Sequence, residues 1–196
     1  MAEILNPSDN EGKHRPISRS SPTRPYSPEE IADLRSWAAT QSTELRRRDA
    51  WTMLALGLGA GLATRELLEL QSTDVMIGPD RSTAQVIVWR DRTRAVPLLT
   101  AWVPTLLRTV AESPPGGWLF RPGRQKAMPG QVTDFLTRSR SPLDVRPSRM
   151  RATWLNHHLN EGTPADEILR ISGLKNFAAL DRLLPMTDRH SDAKNS

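Results

Sequence analysis

Gly61-Leu62-Ala63-Thr64-Arg65-Glu66-Leu67-Leu68-Glu69-Leu70 is the stretch on which the reading of this chain turns. A helix opens near Thr64 and carries Leu67, Leu68 and Leu70 toward a core. Upstream, Gly57-x-Gly59-x-Gly61 has the look of a phosphate loop, but it follows a helical pattern rather than a strand. Close helix packing is therefore its expected use, not nucleotide binding. The helix before it is expected from about Thr43 through Trp51, Leu54, Ala55 and Leu58. An earlier one is announced by Ser27-Pro28-Glu29-Glu30, with Ser27 as N-cap, Pro28 at the first helical position and Glu30 closing a capping box. It runs to about Thr40, and Ile31, Leu34, Trp37 and Ala38 form its apolar face.

Downstream the period changes. Gln85-Val86-Ile87-Val88-Trp89 is short and β-branched, a charged turn Arg90-Asp91-Arg92-Thr93 follows, and Arg94-Ala95-Val96-Pro97 makes a second strand. Alternate residues of a strand share a face, so Arg90, Arg92 and Arg94 are expected to form one basic row. Helices resume over 98–112, 131–139, 148–160, 164–171 (capped by Thr163) and 176–184. The fold class is mainly α with a small antiparallel β-hairpin or sheet. One domain is expected over 26–185, between a disordered basic arm, 1–25, and a disordered tail, 186–196. The arm is polar and rich in Ser and Pro, and it reads equally well as a solvated linker or as a segment lying along phosphates.

The 196 residues, 37% of them hydrophobic, suffice for one well-filled core. Net charge is +5, and because the only lysines are Lys13, Lys126, Lys175 and Lys194, the basic excess is nearly all arginine. Forked guanidinium groups favour a polyanionic partner. The absence of cysteine closes disulfide, thiolate-zinc and cysteine-nucleophile chemistry. His157 and His158 are adjacent on a helix and point about 100° apart, so they do not form a metal pair. No metal or cofactor is expected. No apolar run has signal-peptide or membrane-spanning length, and a cytoplasmic protein is expected. The six tryptophans fit core packing best, five of them lying on expected apolar faces or strands.

Three segments in order resemble the tyrosine recombinase (phage integrase) catalytic domain. Residues 61–70 are similar to its G-L-R-x-x-E-L-x-x-L box. Arg92 to Leu98 resembles the lysine hairpin running into R-x-V-P-L. Ser148-Arg149-Met150-Arg151-Ala152-Thr153-Trp154, continuing through His157 to Gly162, is similar to the H-x-L-R-H-T-F helix, and Ile168 to Phe177 to the L-G-H segment. The resemblance implies that fold and a DNA partner, and each match departs where chemistry is done. The first arginine falls on Ala63, with Arg65 about 200° round the helix. The hairpin lysine falls on Trp89 or Arg90. The two histidines of the helix fall on Ser148 and Ala152, and the last on Leu174. The nucleophilic tyrosine falls about Leu183, while the sole tyrosine is Tyr26. Arg151 alone maps onto a catalytic position, so no catalytic residue is assigned and the chain is expected not to be an enzyme.

Residues expected at DNA are Arg151, Arg90, Arg92, Arg94, Arg149 and Arg47. Glu66 keeps the family's acidic position, where it would hold a neighbouring strand or arginine; a plain capping role is the alternative. With only residues 1–25 before the first helix, the partner domain of the family's DNA clamp is expected to be missing. With so few residues after Leu184, a monomer is expected. Two functions fit: a non-catalytic DNA-binding regulator or accessory factor of recombination or transcription, or a protein-interaction module partnering an active recombinase or another mobile-element protein.

Overall fold

A computed structural model describes residues 23–90, 93–141, 143–176 and 178. Residues 1–22 of the expected arm, the tail over 186–196 and most of the expected helix over 176–184 lie outside these residues. Within them, α1 (Pro28–Ala39) starts as its sequence dictates. The Ser27 hydroxyl accepts from the Glu30 amide at 3.2 Å, and the Glu30 carboxylate accepts from the Ser27 amide at 2.9 Å. The residue before that cap, Tyr26, ties α1 to the segment 144–153. Its amide donates to the Thr153 hydroxyl at 2.8 Å, and its own hydroxyl donates to the Asp144 carbonyl and accepts from the Arg146 amide.

Thr43 caps α2 (Glu44–Leu54), accepting from the Arg46 amide at 3.2 Å. The expected regular helix through Leu58 is corrected here, because Ala55–Gly59 widens into a π-helical turn. Glycines make that turn fit. A Cβ on Gly57 would stand 2.7 Å from the Met150 sulfur, one on Gly59 2.8 Å from the Trp102 Cβ, and one on Gly61 2.4 Å from the Trp154 ring. Gly61 also has φ +58°, a conformation that glycine adopts without steric cost. Close helix packing is thus what these glycines do.

α3 (Thr64–Glu69) leads to a three-stranded antiparallel sheet, β1 (Val75–Ile77), β2 (Ala84–Val88) and β3 (Arg94–Pro97), in the order β1-β2-β3. β1 was too short to show a period in the sequence. Register pairs Val75 with Val86 and Val86 with Val96, so Val86, Val88 and Val96 fill the inward face. Trp89, expected inside the strand, lies just beyond β2 and is 67% exposed.

Thr100–Trp102 forms a 3-10 turn before α4 (Val103–Ala111), where Pro104 sits in the first turn. α5 (Gln131–Arg138), α6 (Pro147–Asn160) and α7 (Ala165–Ser172) follow. The expected cap Thr163 is also corrected: α7 begins after Pro164 without a side-chain cap, and the Thr163 hydroxyl pairs with His158 Nδ1 at 3.1 Å. α7 stops at Gly173, φ +71°. One core joins these elements, with Leu34, Met53, Leu56, Leu106, Phe120 and Trp154 fully buried. Among the described residues no helix is long and apolar enough to cross a membrane.

Candidate nucleic-acid interface

Arg151 stands on α6 with its guanidinium already engaged by the chain itself. One terminal nitrogen donates to the Gly61 carbonyl at 2.6 Å and the other to the Ser172 carbonyl at 2.7 Å, so α6 clasps the glycine segment and the end of α7 together. Glu66 stands 3.8 Å away. The same carboxylate accepts from Arg94 at 2.6 Å and from the Ala63 amide at 2.8 Å, while Arg94 Nε donates to the Ile171 carbonyl at 2.9 Å. Glu66 therefore both caps α3 and holds the arginine of β3. Two guanidinium groups share one carboxylate, which leaves the cluster with one positive charge. Burial pushes the Arg151 pKa down, Glu66 opposes that shift and Arg94 adds to it. The Arg151 side chain keeps 18% of its surface open to solvent.

The remaining expected arginines do not join this cluster as a row. Arg90 lies beyond the end of β2, is partly exposed and pairs with Glu69. Arg92 lies outside the described residues. Arg94 points to the buried face of β3, opposite Val88. The expected row fails for a physical reason: alternation keeps residues on one face only inside a continuous strand, and the turn breaks it between Val88 and Arg94. The outward face instead carries Met76, Gln85, Ile87, Ala95 and Pro97. Arg149 reaches Glu30 at 2.5 Å and lies over the Tyr26 ring, 3.9 Å from its centroid. Arg47 donates to the Gln41 carbonyl at 2.9 Å.

The positions at which the resemblance would put further chemistry have ordinary surroundings. Ala63 precedes α3, Ser148 is exposed in the first turn of α6, Ala152 is buried and Leu174 is half-buried. Leu183 lies outside the described residues. Tyr26, the sole tyrosine, is buried among helices and its pKa is raised by that burial.

One exposed contact escaped the sequence. Trp89 Nε1 donates to Asp74 Oδ1 at 2.8 Å, and Asp74 Oδ2 accepts from the Gln71 amide at 2.8 Å. The indole is thus pinned at its edge while most of its surface faces water. Its only signal in the sequence was the Gln71-to-Asp74 spacing of a reversed cap.

No protein-family model matches the sequence, and no curated protein matches it. Solved structures do match. The crystal structure of XerA recombinase superposes with a TM-score of 0.60 at 18% identity, over 85% of this chain and 64% of that one. XerH site-specific recombinase bound to palindromic difH substrate, in a post-cleavage complex, gives 0.66 at 14% identity, over 89% and 53%. A lambda integrase dimer bound to a COC' core site gives 0.56 at 14% identity, over 82% and 47%. The chain thus spans between about half and two thirds of the length of these proteins. Its mainly helical architecture with a small antiparallel sheet is the fold of the tyrosine recombinase catalytic domain.

Proposed function

We propose that the chain is a non-catalytic DNA-binding protein built on the tyrosine recombinase fold, acting as a regulator or accessory factor in recombination or transcription. The observation that carries this reading is the charge balance around Arg151. Two guanidinium groups against one carboxylate leave a positive charge where the resemblance puts the scissile phosphate, and no hydroxyl, thiol or imidazole stands among these three side chains. Such a cluster attracts a phosphate without supplying the means to break it. The net charge of +5 supports a polyanionic partner. Among structures that share the fold, the Tn1549 transposon integrase is in complex with circular intermediate DNA, XerH is bound to its difH substrate and lambda integrase to a COC' core site.

A gel-shift titration with duplex DNA at low salt tests the reading. Binding is expected to weaken steeply as salt rises, since each phosphate contact releases counterions. Incubation with a nicked suicide duplex is expected to give no covalent adduct. No binding at micromolar protein sinks the DNA half of the reading, and a covalent adduct sinks the non-catalytic half.

The second reading, a protein-interaction module, is favoured by the outward sheet face. Met76, Ile87 and Pro97 lie there, Trp89 stands pinned and exposed just past the end of β2, and an exposed aromatic anchor is a common centre of protein–protein binding. Stoichiometric co-purification of a protein partner, lost on Trp89→Ala while DNA affinity is unchanged, would establish it in place of the first.

A further inference from the structure

A groove of about 950 Å³ opens where α1, the turn into α2 and the end of α5 meet, and it shares no residue with the Arg151 cluster. Arg46, Arg138 and Arg140 line it, against a single lining carboxylate, Asp33. The floor is already satisfied: Trp37 Nε1 and Gln41 Nε2 both donate to the Ser139 carbonyl, at 3.0 and 3.2 Å. Any ligand is therefore held by the walls. Arg46 donates to the Ser42 hydroxyl at 3.2 Å, so that hydroxyl keeps its own proton to give to an acceptor. Arg138 is 68% exposed and, among the described residues, is held only by Asp134, from outside the lining, at 2.9 Å. An exposed pair of that kind is worth little and is readily exchanged for a better anion.

Arg140 adds two independent observations. Among the described residues it has no ion-pair partner. Its φ of +45° is a left-handed conformation that a side chain adopts at a cost, and such strain gathers at ligand clamps. The walls are rich in donors and poor in acceptors, which selects an anion. Forked guanidinium groups match phosphate oxygens, and cations drawn from α2, from the end of α5 and from the segment after it suit a run of phosphates better than a single one. Trp37 is buried at the floor and offers no face for a base, so the contact is to backbone and carries no sequence preference.

We propose that this groove is a second phosphate-binding surface, which takes a nucleic-acid strand by its backbone independently of Arg151. The proposal rests on the nucleic-acid reading above and adds to it a location. The test uses the full chain with a fluorescein-labelled dT12 strand and a duplex of matching length, and compares Arg138→Glu/Arg140→Glu with Arg108→Glu, an exposed charge on α4 outside the groove. Far-UV circular dichroism checks that each variant folds.

The double variant is expected to bind dT12 at least about tenfold more weakly, with the salt slope reduced by roughly 0.7 per lost contact, while Arg108→Glu changes little. In a 15N-labelled sample, the Trp37 indole signal is expected to move on addition of dT12, because its N–H lies at the groove floor. If wild type binds duplex and strand but the double variant binds both equally well and the Trp37 signal stays put, the groove proposal is overturned while the DNA reading stands. An equal loss in Arg108→Glu also overturns it, since general charge would then be the cause. If wild type binds neither nucleic acid, both proposals fall. If it binds poly-glutamate and not dT12, with loss in the double variant, the occupant is an acidic peptide and the phosphate assignment is overturned.

Discussion

Two tryptophans of this molecule are held in opposite ways. Trp154 is wholly buried against Gly61, whose positive φ and missing Cβ make the room for its ring, and the His158 ring meets it edge-on at 4.4 Å. Its indole N–H has no hydrogen-bond partner among the described residues, so dispersion and apolar burial alone keep it in place. Trp89 is the reverse case, with one hydrogen bond to Asp74 and most of its area in water. The seam beneath Trp154 thus holds the fold together, whereas Trp89 stands exposed just past the end of β2.

That contrast is broken most forcefully at the seam's polar end. Glu66→Ala would leave Arg94 and Arg151 in their low-dielectric site without the carboxylate they share, and a loss of about 3–5 kcal/mol is expected in urea unfolding. If the loss stays under about 1 kcal/mol, the clasp between α3, β3 and α6 is not structural. Gly61→Ala comes next, at about 2–3 kcal/mol, since the added methyl both meets the Trp154 ring and strains the backbone. Thermal unfolding measures it.

A smaller, pH-dependent effect belongs to Glu30. Its bond from Arg149, reinforced by the Ser27 amide, lowers its pKa, so the folded state holds the charged form more tightly than the unfolded chain does. The stabilisation is present above the unfolded glutamate value of roughly 4.3 and is lost as pH falls through the depressed folded value. The gap in melting temperature between wild type and Glu30→Gln is therefore expected to close on acidification. Trp89→Ala should be the mildest for stability, within about 0.5 kcal/mol, because little of its surface leaves water on folding. A large loss there would make the sheet face part of the core after all.

Where a residue's role is set by local chain geometry, the sequence carried it. The Ser27 box, the glycine seam, the helical faces and the valines of β2 and β3 were all legible from residue type and spacing alone. What was not legible depends on where a strand ends. Arg94 was placed correctly on β3, but the turn sent its neighbours Arg90 and Trp89 out of register with it, and no period survives a turn. Arg151 was singled out for phosphate, yet its carbonyl partners, Gly61 and Ser172, lie far from it along the chain and carry no side-chain signature at all. The Arg46, Arg138 and Arg140 groove was missed for the same reason, being assembled from separate elements whose meeting no spacing announces.

The wide turn at Ala55–Gly59 acts as a phase setter. A π-helical turn amounts to one residue inserted into an α-helix, and each residue advances a helix by about 100°. Deleting a single residue there would restore a regular helix and rotate everything up to Gly61 by that angle. Gly61 would then turn away from Trp154, its carbonyl would leave Arg151, and the whole clasp would lose its alignment without any of its own residues having changed.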